Sequence, residues 1–127
     1  MAIHFIDLCR EVFAEKITRK GLSQNQQAEL DEVLNNAVTR LNAIRPGFYS
    51  ILYQSWLDYL GDTLLTRQEN LLKVSDASRK LAKTSLQLVD ELYPYCGLIA
   101  ASKGSEINRV WRDIHTASQH ALLTFAE

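Results

Sequence analysis

The chain has 127 residues, 46% of them hydrophobic and 23% charged, and a formal net charge of −1. A chain of that length fits one domain with its own core, and the balance of apolar and charged residues excludes disorder. Near-neutrality removes the electrostatic case for a nucleic-acid binder, and the scatter of Lys and Arg along the chain argues against a membrane-surface binder.

No apolar stretch reaches bilayer-spanning length, and charge interrupts the first residues too early for a secretory core. The cytoplasm is the expected compartment. Cys9 and Cys96 lie far apart in the sequence and match no metal or redox spacing, so they read as separate reduced thiols.

Helical period runs through nearly the whole chain, punctuated by five glycines and two prolines. The first predicted helix covers roughly residues 3–20 and carries Ile3, Ile6, Leu8, Val12, Phe13 and Ile17, with Gly21 as its stop. The second opens on Ser23-Gln24-Asn25-Gln26, a capping box. Leu30, Val33, Leu34, Ala37, Val38, Leu41 and Ile44 then recur at amphipathic spacing. Pro46 and Gly47 interrupt this stripe, which resumes at Phe48, Ile51, Leu52, Trp56, Tyr59 and Leu60. The interruption predicts either one kinked helix or two helices meeting at Arg45-Pro46-Gly47, ending at Gly61-Asp62.

The third predicted helix opens on a second capping box, Thr66-Arg67-Gln68-Glu69, and runs to Leu92. Small residues Ala77, Ser78, Ala82 and Ser85 on its stripe point to a close helical neighbour. Tyr93-Pro94-Tyr95-Cys96-Gly97 stops it. The fourth predicted helix spans residues 105–125. Its core face is Ile107, Trp111, Ile114, Ser118, Ala121, Leu122 and Phe125, and its opposite face is the polar row Arg109, Asp113, Thr116, His120 and Thr124. No strand-like alternation competes, so the expected fold is all-α: one antiparallel four-helix bundle over residues 1–127.

The chemistry-bearing residues admit ordinary readings. Arg109 and Asp113, four apart, predict an intrahelical ion pair worth a few tenths of a kcal/mol. His115 sits at the edge of the core stripe as a packing residue. His115 and His120, five apart, do not share a helix face as a metal pair would. A di-iron bundle needs Glu-x-x-His motifs and none occurs, so no metal ligand is assigned. Trp56 and Trp111 both read as core residues whose indole N–H needs a partner. There is neither a nucleophile elbow nor a glycine-rich phosphate loop.

Residues 108–120, with Trp111-Arg112-Asp113, His115-Thr116-Ala117 and the closing His120, resemble the last helix of the acyl-CoA dehydrogenase fold in its flavin-dependent monooxygenase branch. Residues 40–49 followed by Trp56, and Val89-Asp90-Glu91-Leu92-Tyr93 followed by Cys96-Gly97, resemble earlier helices of the same C-terminal domain, in the same order. The chain departs from the family pattern at Leu98, at Ser102 and at Glu106-Ile107, all in or beside the loop before the last helix.

The resemblance implies the C-terminal four-helix domain of such an enzyme, with His120 as the catalytic histidine near the flavin. Arg109, Arg112, Asp113 and Thr116 are implied on the cofactor-binding side. It also implies assembly into a homo-oligomer in which bundles pack together and complete a neighbour's site. These residues contain neither the N-terminal helical domain nor the middle β-domain of full family members. The expectation is therefore a catalytically incomplete unit that binds no cofactor by itself and works with a separate flavin-binding chain; FMN or FAD serves the full-length family. The alternative is a stand-alone helical protein–protein interaction module without flavin.

Overall fold

A computed structural model of the chain describes residues 1–61 and 64–125, residues 64–66 by backbone alone. Six α-helices occur among the described residues: α1 (Ala2–Lys20), α2 (Gln24–Gly61), α3 (Leu64–Leu92), α4 (Leu98–Ala101), α5 (Glu106–Ser118) and α6 (Ala121–Thr124). A 3₁₀ turn, Tyr93–Cys96, joins α3 to α4, and the described residues contain no strand. The architecture is the expected antiparallel bundle, built from α1, α2, α3 and α5, with α4 and α6 as single added turns.

Local chemistry explains most boundaries. Gly21 takes φ 57° and ψ 45° just past α1, the left-handed conformation that glycine adopts without a Cβ penalty. Arg19 and Lys20 lie in the last turn, where cations complement the helix dipole. The capping box at the start of α2 is reciprocal. The Gln26 amide donates to Ser23 Oγ at 3.2 Å, and the Ser23 amide donates to Gln26 Oε1 at 2.9 Å. Pro46 does not split α2, which remains one helix of 38 residues. Proline removes the bond to the carbonyl of Asn42, but Asn42 and Pro46 are both exposed, so water can meet that carbonyl. The second predicted box fares differently. The backbone is already helical at Leu64, which puts Thr66 inside α3; its side chain and Asp62 lie outside the described residues.

Three polar contacts fix the direction of the α2–α3 hairpin. Tyr95 Oη donates to Glu29 Oε1 at 3.1 Å, Arg40 Nη1 pairs with Glu91 Oε2 at 2.6 Å, and Asn70 Nδ2 donates to Asp58 Oδ2 at 2.8 Å. Partner numbers fall as the α2 numbers rise, as an antiparallel pair requires.

The core sits at one end of this hairpin. It gathers Phe5, Ile6, Cys9 and Phe13 of α1, Leu30, Leu34, Ala37 and Leu41 of α2, and Leu88, Val89 and Leu92 of α3. Cys96, Ala100, Ile107, Val110 and Ile114 complete it. Phe5, Leu88, Val89 and Leu92 are fully enclosed.

Beyond Ile44 the hairpin continues with no long helix over it, and only the single turn α6 lies against its α3 side. Trp56, read from its stripe as a core residue, is 57% exposed, and Leu52, Tyr59 and Leu60 are exposed too. Their spacing makes a helix but supplies no neighbour to cover them. Phe48 and Ile51 are half-buried.

The two cysteines, distant in sequence, meet in space. Cys9 Sγ and Cys96 Sγ are 3.3 Å apart in the core, both as free thiols. No helix among the described residues is long and apolar enough to cross a membrane.

Candidate functional site

The start of α5 is firmly built. Ser105 Oγ accepts from the Asn108 amide at 3.3 Å and lies 2.6 Å from the Ile99 carbonyl oxygen, to which it donates. It thus caps α5 and ties it to α4. Asn108, expected only as part of a motif, is buried; its Nδ2 donates to the Ala100 carbonyl at 2.6 Å. Its Oδ1 is buried with no partner among the described residues. Ile107, Val110 and Ile114 form the buried face of α5.

The end of α5 corrects the sequence reading. The predicted single helix over 105–125 stops at Ser118. The amides of Gln119 and His120 bond back three residues, to Thr116 and Ala117, which tightens the last turn. The hydroxyls of Thr116 and Ser118 compete for backbone carbonyls of the preceding turn, those of Arg112 and His115. His120 then turns extended, at φ −58° and ψ 135°, and its Nδ1 accepts from the Leu122 amide at 3.2 Å. A histidine expected in mid-helix is therefore the N-cap of α6. The turn re-aims the chain beyond it, so Ala121, Leu122 and Phe125 leave the core stripe and are exposed.

This reorientation separates the expected site residues into two groups. Arg109, Arg112, Asp113 and Thr116 remain on the exposed side of α5. Arg109 does not pair with Asp113; its Nη2 lies 3.7 Å from Glu106 Oε1 instead. Arg112 Nη2 reaches the Lys103 carbonyl at 3.4 Å, and Thr116 Oγ1 donates to the Arg112 carbonyl at 3.0 Å.

His120, also exposed, lies with α6 against α3. There it lines an open apolar groove of about 820 Å³ with Leu71, Leu72, Val74 and Leu122. Because Nδ1 accepts a hydrogen bond, the neutral ring carries its proton on Nε2. That N–H has no partner among the described residues.

Sequence reasoning missed a second cluster. His115 Nε2 is 2.9 Å from Asp90 Oδ1, and the same oxygen accepts from Trp111 Nε1 at 3.2 Å. His115 Nδ1 faces the Trp111 carbonyl at 2.8 Å. With an acceptor at each nitrogen, the ring satisfies both contacts only when both nitrogens carry protons. Trp111 stacks on Tyr93, at 4.6 Å between ring centroids, and meets the tilted ring of His115 at 4.2 Å. The half-buried indole N–H finds a partner in Asp90, which ties α5 to α3. Spacing on α5 marked Trp111 and His115, but nothing in the sequence brought Asp90 to them.

Among the described residues no group of three His, Cys, Asp or Glu side chains is placed to hold a metal ion. The polar chemistry lies on open faces and beside an open groove. These features define an all-helical domain whose candidate functional groups are presented outward. Over residues 1–125 the chain matches the family model described as acyl-CoA dehydrogenase, C-terminal domain, and it belongs to that family. No curated protein and no solved structure matches it.

Proposed function

We propose that this domain is the assembly and flavin-site-completing part of an acyl-CoA dehydrogenase-like flavin-dependent monooxygenase, with His120 as the residue it lends to the chemistry. The observation that carries the reading is the state of His120: exposed, held by the Leu122 amide in one tautomer of the neutral ring, and left with an Nε2–H that has no partner among the described residues, beside an apolar groove. A ring held in that way can donate a hydrogen bond from Nε2 without first reorganising.

The donor set suits the edge of a shared flavin site. Arg109 and Arg112 offer cations to a phosphate, and Thr116 offers a hydroxyl to a ribityl chain. Asp113 is an acceptor with no partner among the described residues. A flavin supplies redox and oxygen chemistry when bound; this chain's contribution is to orient it and to hold a proton at His120 Nε2. One open helix face and a groove do not enclose a large planar cofactor. The remaining contacts would come from a flavin-binding unit, and the domain alone holds no flavin stoichiometrically.

The exposed apolar residues of the distal hairpin, Leu52, Trp56, Leu57 and Leu60, support assembly into a closed homo-oligomer, a dimer or a tetramer, in the cytoplasm. The same residues favour the second reading, a helical interaction module without flavin.

One preparation separates the two. The purified domain is examined by light scattering and by its absorbance spectrum, then mixed with a flavin-loaded unit carrying the family's other domains. The expected result is a flavin-free oligomer that restores hydroxylation on mixing. His120→Asn keeps a side chain able to cap α6 and is expected to abolish hydroxylation while assembly persists. A monomer at high micromolar concentration, or stoichiometric flavin on the domain alone, would overturn the reading. Assembly without any flavin-dependent activity would favour the interaction module.

A further inference from the structure

The core contains a reactive arrangement that the bundle does not require. Two buried thiols often serve simply as small apolar residues. Here they face one another across two elements, 87 positions apart in sequence, with 3.3 Å between the sulfurs. Cys9 belongs to α1, and Cys96 ends the 3₁₀ turn after α3. A disulfide needs about 2.05 Å, so closure asks for an approach of roughly 1.3 Å between two elements already in contact.

Three further observations distinguish Cys96 from a passive core thiol. First, it lines a cavity of about 280 Å³ bordered by Val12, Lys16, Arg19, Gly97 and Ile99, so a small molecule has a route to the sulfur's side of the core. Second, Lys16 sits beside it, donating from Nζ to the Tyr95 carbonyl at 2.5 Å. Gly97, at φ +73°, makes room for that ammonium. A Cβ there would come within 3.1 Å of Lys16 Nζ, which the lysine would have to yield. Third, the two thiols are unequal. Cys96 is pushed below the ordinary thiol value, first by the hydrogen bond from Cys9 and then by the Lys16 charge, against the opposing effect of burial. Cys9 is pushed up, by its hydrogen bond to Cys96 and by burial. In the neutral pair Cys96 Sγ donates to the Leu92 carbonyl at 3.4 Å, so ionising Cys96 gives up one weak contact and strengthens the one from Cys9.

We propose that Cys9 and Cys96 form a peroxide-sensitive dithiol, with Cys96 attacking and Cys9 resolving, that closes a disulfide between α1 and the turn after α3. In the first step the Cys96 thiolate attacks one oxygen of hydrogen peroxide. An S–O bond forms, the O–O bond breaks, and hydroxide leaves to be protonated by solvent, giving Cys96 sulfenic acid. In the second, Cys9 gives up its proton as its sulfur attacks Cys96 Sγ. The S–S bond forms, the S–O bond breaks, and water leaves. Two thiols lose two electrons and two protons, and one peroxide becomes two waters. A small neutral oxidant suits a sulfur that is only 1% exposed. The closed loop is long, so oxidation is expected to raise the melting temperature by roughly 10 °C.

The test treats the intact chain with hydrogen peroxide under native conditions, then denatures it, alkylates free thiols and measures the intact mass. The expected product has lost two hydrogens and takes up no alkylating agent. It forms at a rate independent of protein concentration, and dithiothreitol reverses it. Cys9→Ser is expected to leave Cys96 as a sulfenic acid captured by dimedone, and Cys96→Ser to leave Cys9 unmodified. The wild-type measurement needs no variant to fold. Two thiols still alkylatable after peroxide, or disulfides formed only between chains, would overturn the proposal. Dimedone capture at Cys9 in the Cys96→Ser chain would overturn the assigned order of attack.

Discussion

The two halves of the α2–α3 hairpin carry similar amounts of apolar side chain and treat it in opposite ways. In the half that holds Leu30, Leu34, Leu41, Leu88 and Leu92, α1 and α5 lie across the hairpin and these residues fall below one-tenth exposure. In the other half Trp56 and Leu60 are 57% and 62% exposed, and Leu71 and Leu72 opposite them are exposed as well. The helices are continuous through both halves, so periodicity alone cannot be what decides burial. What differs is whether a third and a fourth helix reach that far. Helical period says which residues share a face; only the tertiary arrangement says whether that face has a neighbour.

The largest effect expected from this contrast is in stability. Phe5→Ala removes a fully enclosed ring at the packed end and is expected to cost about 3–5 kcal/mol in urea unfolding. Trp56→Ala at the open end is expected to cost less than about 1 kcal/mol when measured in dilute, dissociated protein. Equal losses at the two sites would mean that the distal half has its own buried layer, and the contrast would fail.

Caps at the packed end come next. Ser105→Ala removes the hydroxyl that both caps α5 and holds the Ile99 carbonyl, with an expected loss of about 1–2 kcal/mol. Ser23→Ala should cost about 1 kcal/mol, because Gln26 keeps its half of the capping box. Thermal melts of the two variants rank these contributions. A Ser23→Ala loss exceeding that of Ser105→Ala would show that the α4–α5 tie adds nothing.

Hydrogen exchange sharpens the contrast without any mutation. Amides from Leu30 to Leu41 are expected to exchange only through near-global opening. Those from Leu52 to Leu60 should exchange faster at low concentration and slow markedly when the protein is concentrated. Fast distal exchange that ignores concentration would show that nothing in solution covers those side chains.

The fold was largely legible in the sequence because its signals are local. The Ser23–Gln26 box, the left-handed stop at Gly21 and the stripe from Leu30 to Leu41 each act over one or two turns, and each appears in the structure as read. Where the reading failed, the deciding contact was distant. Trp56 lies on a proper stripe that no helix covers. Asp90 meets Trp111 and His115 only because α5 folds back on α3. Cys9 and Cys96 are neighbours through the packing of α1 on the turn after α3. The break at His120 had a weak local signal in the hydroxyls of Thr116 and Ser118, but the apolar residues beyond it fit a continued helix equally well. The site residues were thus identifiable by type, while their division between two surfaces was not.

The smallest effects belong to the polar row of α5, and their smallness is informative. Arg109, Asp113 and Thr116 are exposed and make no hydrogen bond or ion pair to another element among the described residues, so Ala at each is expected to change stability by no more than about 0.5 kcal/mol. Among the described residues Arg109 pairs with Glu106, an exposed ion pair that salt screens readily. These substitutions are therefore clean probes of any role the row plays toward another molecule. Combined in one chain, they should leave the melting temperature near wild type while weakening association with a flavin-loaded unit, measured by titration at several salt concentrations. The loss should be steepest at low salt, where the Arg109 charge attracts a phosphate most strongly. Unchanged association at every salt concentration would remove the row from the interface and leave the His120 groove as the remaining candidate face.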